Sequence, residues 1–408
     1  MAPPSLSTLP PPVANSLTPE EELYWLALRL VPGLGTRRSA QLLERFGSPQ
    51  AIFRADPNEL ESCGLNGSVA RSVASGCSFD DAATQQELMR KGGAQLVTLG
   101  DSRYPDRLRE IFNPPPMMFA RGNVELLNSV CLGVVGTRHP TTYGVAATER
   151  LSADLARAGL TIVSGMARGV DTAAHRACLG AGGNTIAVLG CGADVVYPSE
   201  NRKLAAEIAA RGLIISEFPM ESTAFPQNFP IRNRIIAGLS AGLLVVEGAQ
   251  YSGSGITAKL ALDQGRELFA VPGNITSKMS WGPNLLIKQG ARLVQDWNDV
   301  VVDLPQADQR LLIAAGRQRI LDLGGEGAAE SSAAGGASNQ PEGQMPEPQA
   351  RAARRVLQHL KPDTAVHLDV LVEAIDDMSP SEIIASLFEL EILGLVRQQP
   401  GRNFAKVW

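Results

Sequence analysis

Between Val130 and about Asp299 six short apolar runs alternate with five helical stretches, joined by turns. The runs are Val130–Val135, Thr161–Ser164, Thr185–Leu189, Leu213–Ser216, Gly242–Val246 and Glu267–Val271. None alternates apolar with polar residues, so each strand is buried on both faces. That is the mark of a parallel sheet covered by helices on either side. The intervening stretches, 143–158, 171–179, 201–210, 232–239 and 254–264, carry the helical spacing that such covers need. The expected fold class is therefore α/β, a Rossmann-like, doubly wound and mostly parallel sheet.

In an open parallel sheet, ligands bind beyond the carboxyl ends of the strands, where turns lead into helix N-termini. The first strand runs into Gly136-Thr137-Arg138, and the second into Ser164-Gly165-Met166-Ala167-Arg168-Gly169. The third is followed by Tyr197-Pro198 and then Arg202-Lys203, and the fourth by Phe229-Pro230-Ile231-Arg232-Asn233-Arg234. Beyond the fifth comes Ser252-Gly253-Ser254-Gly255-Ile256-Thr257-Ala258-Lys259. Glycine lets backbone amides approach an anion, Ser and Thr hydroxyls donate, and Arg138, Arg168, Arg232, Arg234 and Lys259 add charge. Arg232 and Arg234 stand at a helix start, where cations oppose the helix dipole unless an anion offsets them. The Ser252–Thr257 loop lacks the G-K-[ST] ending of a P-loop, and no G-x-G-x-x-G follows the first strand, which argues against nucleotide hydrolysis and NAD binding. His175 sits in an Ala-rich helix and reads as a packed residue.

A chain of 408 residues exceeds what one core supports, so further domains are expected. Residues 1–17 are a Pro-rich tail, expected to be disordered. Residues 18–75 read as a small SAM/helix-hairpin-helix-like domain, with Thr18 as a helix cap and a Pro32-Gly33-Leu34-Gly35 turn. The amides of that turn suit either a phosphate or a plain helical corner. Residues 76–125 read as a connector, 126–317 as the Rossmann-like domain and 318–350 as a flexible Gly/Ala/Ser/Glu linker. Residues 351–408, three helical stretches and a hairpin around Pro400-Gly401, follow the plan of a winged helix.

The net charge of -5 argues against nucleic-acid binding through bulk charge and requires a local basic patch instead. The five cysteines are odd in number and form no C-x-x-C pair, so they read as reduced core thiols, with no metal site and no cofactor expected. No apolar run approaches the roughly 18 residues that span a bilayer. The Pro-rich start lacks a signal-peptide order, so a cytoplasmic protein without membrane insertion is expected.

The motifs Val134-Val135-Gly136-Thr137-Arg138, Ser164–Asp171 with Ala174-His175, Phe229-Pro230-x-Arg232-Asn233-Arg234-Ile235-Ile236 and Ser252–Thr257 resemble the DNA-processing protein A (DprA, Smf) family. Their order and spacing hold from about Tyr104 through Ala291. The resemblance implies a non-catalytic role in natural transformation, or competence: binding incoming single-stranded DNA without base specificity and loading the RecA recombinase for DNA recombination. It also implies a homodimer, with a single-strand-binding protein as a further partner and no metal or cofactor. Carried over by position, the DNA-binding residues are Gly136, Thr137, Arg138, Ser164, Gly165, Arg168, Arg202, Lys203, Phe229, Arg232, Asn233, Arg234, Ser252, Gly253, Ser254, Gly255, Thr257 and Lys259. The sequence departs from the family at Ser199, where many members have lysine. It departs again at Gly255, where leucine is usual, and at Trp281-Gly282-Pro283-Asn284.

Two rival readings remain open on sequence. One is a nucleotide N-glycosidase-type enzyme on the same fold. Its catalytic carboxylate is missing from 252–262, but Asp171, Glu217 and Glu247 stand at other strand ends. The other is a double-strand-specific regulator centred on the winged helix. From 351 to 408 there are seven Lys or Arg against eight Asp or Glu, less basic than a major-groove reader usually is.

Overall fold

The computed structural model describes residues 17–315 apart from 251, together with 355–357, 359–360, 366–375, 378, 383, 386–387, 390, 396–399 and 403–406. The expected tail (all but its last residue) and the 318–350 linker lie outside the described residues. The chain divides into two compact units, Met1–Ala328 and Ala329–Trp408.

The first unit is built on nine strands. They are β1 (Gln95–Thr98), β2 (Met117–Gly122), β3 (Cys131–Val135), β4 (Thr161–Ser164) and β5 (Thr185–Leu189), then β6 (Leu213–Ser216), β7 (Gly242–Val245), β8 (Glu267–Ala270) and β9 (Arg292–Leu293). Their order in the sheet is β1-β2-β6-β5-β4-β3-β7-β8-β9. From β6 to β9 every pairing is parallel, whereas β2 pairs with β6, and β1 with β2, antiparallel. The chain steps outward from β3 to β6 and then returns to β7 on the other side of β3. The β3/β7 junction is thus the topological switch point, where the carboxyl ends leave a crevice.

The six expected strands are all present, so the α/β reading holds. The expected connector at 76–125 does not: it supplies β1, β2 and a long helix. Met117, Met118, Phe119 and Ala120 are all buried, and Phe119–Gly122 cover the β6 edge that would otherwise expose unpaired backbone groups.

Helices α1 (Pro19–Leu30), α2 (Thr36–Phe46), α3 (Pro49–Arg54), α4 (Pro57–Ser62), α5 (Gly67–Ala74) and α6 (Phe79–Gly92) precede the sheet. Thr18 and Glu21 form a reciprocal capping box at the start of α1. These helices do not close a core of their own. Leu26, Leu28, Leu42 and Val73 share one cluster with Leu96, Met117, Phe119 and Met220 of the sheet region.

After α7 (Asp106–Arg109), helices α8 (Thr142–Arg157), α9 (Val170–Gly180) and α10 (Arg202–Arg211) cover one face of the sheet. Helices α11 (Asn228–Leu239) and α12 (Gly253–Asp263) cover the other. Helices α13 (Trp281–Lys288) and α14 (Trp297–Val302) complete the unit near β9. Cys131, Cys178 and Cys191 are buried, and burial pushes their thiols up to about 11, 12 and 11.

The second unit holds helix α15 (Leu368–Ala374) and strands β10 (Val366–His367), β11 (Val396–Gln399) and β12 (Asn403–Lys406), in the order β10-β12-β11. The expected hairpin is there with a third strand added, and its turn at Pro400-Gly401 lies outside the described residues. Val356, Leu360, Leu371, Ile383, Leu387 and Phe404 share its core.

Candidate nucleic-acid interface

The crevice at the switch point is a groove of about 550 Å³. Its walls come from the β3 turn (Gly136, Thr137, Arg138, His139), the first half of α11 (Phe229, Pro230, Arg232, Asn233) and the start of α12 (Ser252, Gly253, Ser254, Thr257). Ala167, Asp171 and Tyr197 close it from the β4 and β5 side.

Its centre is aromatic and cationic. The exposed Arg138 guanidinium stands 5.5 Å from the Phe229 ring centroid, and the Arg232 guanidinium 6.0 Å from it. Tyr197, 44% exposed, lies 5.6 Å from Phe229 at a tilt of 35°. Two guanidinium groups on a ring hold it in place and leave its polar surroundings facing a polyanion. Phe229 and Pro230 fall inside the first turn of α11, because that helix starts at Asn228, before the expected Arg232. Proline is tolerated there, where its missing N–H has no intrahelical partner to lose.

Arg232 is 4% exposed and works from beneath the groove. Its Nη1 donates to the Val188 carbonyl, and its guanidinium packs directly on Gly165, where any side chain would collide with it. Burial lowers its pKa to about 10, opposed by the nearby Asp171 carboxylate and reinforced by Arg138. Asp171 is itself buried, which raises its pKa against the pull of Arg232 and of the amides it accepts. It accepts from the Gly165 and Ala167 amides at 3.1 and 3.3 Å. Those amides are therefore spent on Asp171 and do not face a ligand.

At the start of α12, the Ser252 hydroxyl contacts the Ser254 hydroxyl at 2.8 Å and accepts from the Gly255 amide at 3.4 Å. Gly255 is thus self-capped and sits outside the groove wall, leaving Gly253 and Ser254 as the open helix end. On the β3 side, the Thr137 amide donates to the Glu247 carbonyl, while the Glu247 carboxylate accepts from the Thr141 amide and hydroxyl at 2.9 and 2.6 Å. These bonds fix the turn that projects Arg138.

Ten of the expected residues line the groove: Gly136, Thr137, Arg138, Phe229, Arg232, Asn233, Ser252, Gly253, Ser254 and Thr257. Gly165 and Arg168 line a smaller adjoining pocket that also touches Arg138, Tyr197 and Phe229. Arg168 is exposed and paired with Glu200, one of its two bonds spanning 3.1 Å.

The structure places the rest away from the groove wall. Ser164 is fully buried and its hydroxyl donates to the Val134 carbonyl, so it belongs to the sheet. Arg234 follows Arg232 by two positions, which turns it to another face of α11. There it is buried and paired with Glu217 at 2.6 Å. Glu217 is also held at its carbonyl by Arg29 of α1. Arg202, Lys203 and Lys259 are exposed but outside the groove wall. His139 and Tyr197 line the groove although they lie outside the family motifs, and so does Ile256, which stands within the Ser252–Thr257 motif but was not among the expected contacts. Tyr197 had a signal, its place in the loop that follows the third expected strand.

His175 is packed as expected. The Thr185 hydroxyl donates to the Ile162 carbonyl, so it accepts from His175 Nδ1 at 2.7 Å, and burial lowers the imidazole to about 3. Among the described residues, no group of three or more His, Cys, Asp or Glu could hold a metal ion, and no helix is long and apolar enough to cross a membrane.

A family model described as DNA recombination-mediator protein A matches residues 95–305, and one described as DprA winged helix domain matches 340–402. Protein Smf of Synechocystis is 35% identical over 408 residues, covering 97% of this chain and 100% of that protein. DNA processing protein DprA of Bacillus subtilis is 42% identical over 218 residues, covering 53% of this chain and 73% of that protein. The X-ray structure of DNA processing protein A from Streptococcus pneumoniae superposes with a TM-score of 0.63 at 34% identity, covering 71% of this chain and 99% of that one.

Proposed function

Because this chain belongs to the DNA recombination-mediator protein A family, the DprA/Smf DNA-processing proteins, we propose that its groove binds single-stranded DNA without base specificity. The observation that carries this reading is the meeting of Arg138, Phe229 and Tyr197 with the open end of α12 in one crevice. Guanidinium and amide donors take backbone phosphates, and the aromatic faces take bases of any identity. Such a surface tolerates sequence and responds to salt. It suits loading of the RecA recombinase on incoming DNA during natural transformation, by a cytoplasmic homodimer that also meets a single-strand-binding protein.

The groove holds fewer free cations than the sequence suggested. With Arg234 turned away and Lys259 outside the wall, Arg138 and Arg168 remain at the surface. Two neutralised phosphates give a log–log salt slope of about -1.4, against about -3.5 for five. The glycosidase alternative loses support for a related reason. Asp171, Glu217 and Glu247 are each engaged with amides, hydroxyls or guanidinium groups of their own chain.

The test is Arg138→Ala, assayed by anisotropy on single-stranded oligonucleotides across a salt series. The expected result is a roughly tenfold weaker affinity on every sequence and a slope flatter by about 0.7. Unchanged affinity and slope remove the groove assignment. Release of free base from nucleoside monophosphates revives the enzyme.

A further inference from the structure

A second cavity, of about 500 Å³, lies beyond the groove along the same two helices. Arg234 of α11 and Leu260, Asp263 and Gln264 of α12 form one wall, Arg266 stands beside them, and residues 110–113 form the other wall. Five buried side-chain atoms without a hydrogen-bond partner among the described residues belong to its lining. They are Nε and Nη1 of Arg234, Nε of Arg266, Oε1 of Gln264 and Oδ1 of Asn113. Polar atoms in this position are normally satisfied, and a gathering of several around one cavity marks a place built for a partner.

The same cavity is lined by Phe112, 83% exposed, in the Pro-rich segment Phe112-Asn113-Pro114-Pro115-Pro116. A side chain this apolar is costly to leave in water. The Arg37 guanidinium of α2 stands 5.1 Å from its ring centroid. An exposed ring steadied by a cation is a surface on which a base can stack.

We propose that this cavity is a second nucleotide subsite for the same single strand. The inference rests on the groove reading and extends it. The base stacks on Phe112, with the Asn113 and Gln264 side-chain carbonyls accepting from N–H groups on its edge. The phosphate takes the guanidinium of Arg266, whose Nη2 donates to the Arg107 and Gly238 carbonyls and whose Nε has no partner among the described residues, while Arg234, paired with Glu217, adds positive charge behind it. Arg234, which the motif assigned to the groove, serves the strand here instead. Helices α11 and α12 line both places; on α12 the groove takes Gly253, Ser254 and Thr257 and the cavity Leu260 and Asp263, so this helix marks the path between them. Glu110 and Asp263 at the cavity exclude a second phosphate and favour a single nucleotide unit over a bare polyphosphate.

The experiment uses the full chain carrying Phe112→Ala, Phe112→Trp or Arg266→Gln, with thymidine and mixed-sequence oligonucleotides of two lengths. One length fills the groove alone and the other is several nucleotides longer. Phe112 is exposed, so its removal leaves the core intact, and thermal unfolding checks this for each variant. The expected result is about a tenfold loss for Phe112→Ala on the long oligonucleotide only, restored by Phe112→Trp, with a matching loss for Arg266→Gln. Equal affinity of Phe112→Ala and the parent on the long strand overturns the second subsite, and so does an equal loss on both lengths. Thymidine monophosphate competing only at the long strand's extra contact supports a site for nucleotides from either source. Failure of the groove itself reads out separately, as an Arg138→Ala variant that keeps full affinity for the short strand.

Discussion

Arg232 illustrates how one residue type serves different ends within three positions. The alternating Arg-Asn-Arg motif suggests two equivalent clamps, but helical geometry turns them apart, and only Arg232 underlies the groove. Because its guanidinium is buried against Gly165 and bonded to the Val188 carbonyl, Arg232→Ala opens a void, leaves that carbonyl without this donor, removes the positive charge that attracts Asp171 and takes support from Phe229. The expected cost is about 3 kcal/mol of stability, read by chemical denaturation, in addition to weaker DNA binding. Arg138→Ala, at an exposed position, leaves stability unchanged. His175 offers a pH test at the same scale. Its folded pKa of about 3 lies below the ordinary 6.5, so its contribution is complete above pH 6.5 and is lost as pH falls toward 3. Unfolding free energy should fall by up to about 1.4 kcal/mol per pH unit through that window. His175→Asn, which keeps a donor for Thr185, should flatten that limb, and an unchanged acid profile would assign the loss to other groups.

At the scale of elements, the groove depends on how loops are pinned to one another. The β3 turn is held by Glu247 from the end of β7, and the β4 turn by Asp171 from α9. The turn bearing Arg168 is tethered to Glu200, ahead of α10, at the surface. Exposed pairs of this kind contribute little, so a phosphate can replace Glu200 with small loss. Glu200→Gln should therefore raise single-strand affinity about twofold to fivefold and steepen its salt dependence. A fall in affinity would mean that the pair orders Arg168 for binding. The first half of α12 repeats the theme: Ser252 caps its own helix, leaving only the leading amides open.

For the molecule as a whole, charge and partition decide how DNA is met. With a net charge of -5, the surface repels a polyanion at long range, so capture relies on the rim. A chain ending at residue 317 should bind single strands within about twofold of the full chain, because every groove residue precedes that point. Selective loss of double-strand binding on the same truncation would give the C-terminal unit a duplex role. Loss of single-strand binding would move the primary site there. Helices α1–α6 share their core with β1 and β2, so deleting residues 18–75 should unfold the sheet edge and not merely trim a module.

The sequence by itself determined the doubly wound sheet, because strands buried on both faces and alternating with helices admit few other arrangements. It also determined which turns reach the crevice, since a parallel sheet sends all its carboxyl ends to one rim. Its local signals could not tell which donors would remain free. The Gly165 amide, the Ser164 hydroxyl and Arg234 are each taken by a partner 6, 30 and 17 residues away in sequence. The β1–β2 edge was equally hidden, since two short strands, the second entered through a proline run, acquire meaning only when β6 stands beside them. Tertiary structure made these decisions, because a buried polar group takes whichever partner folding brings within reach.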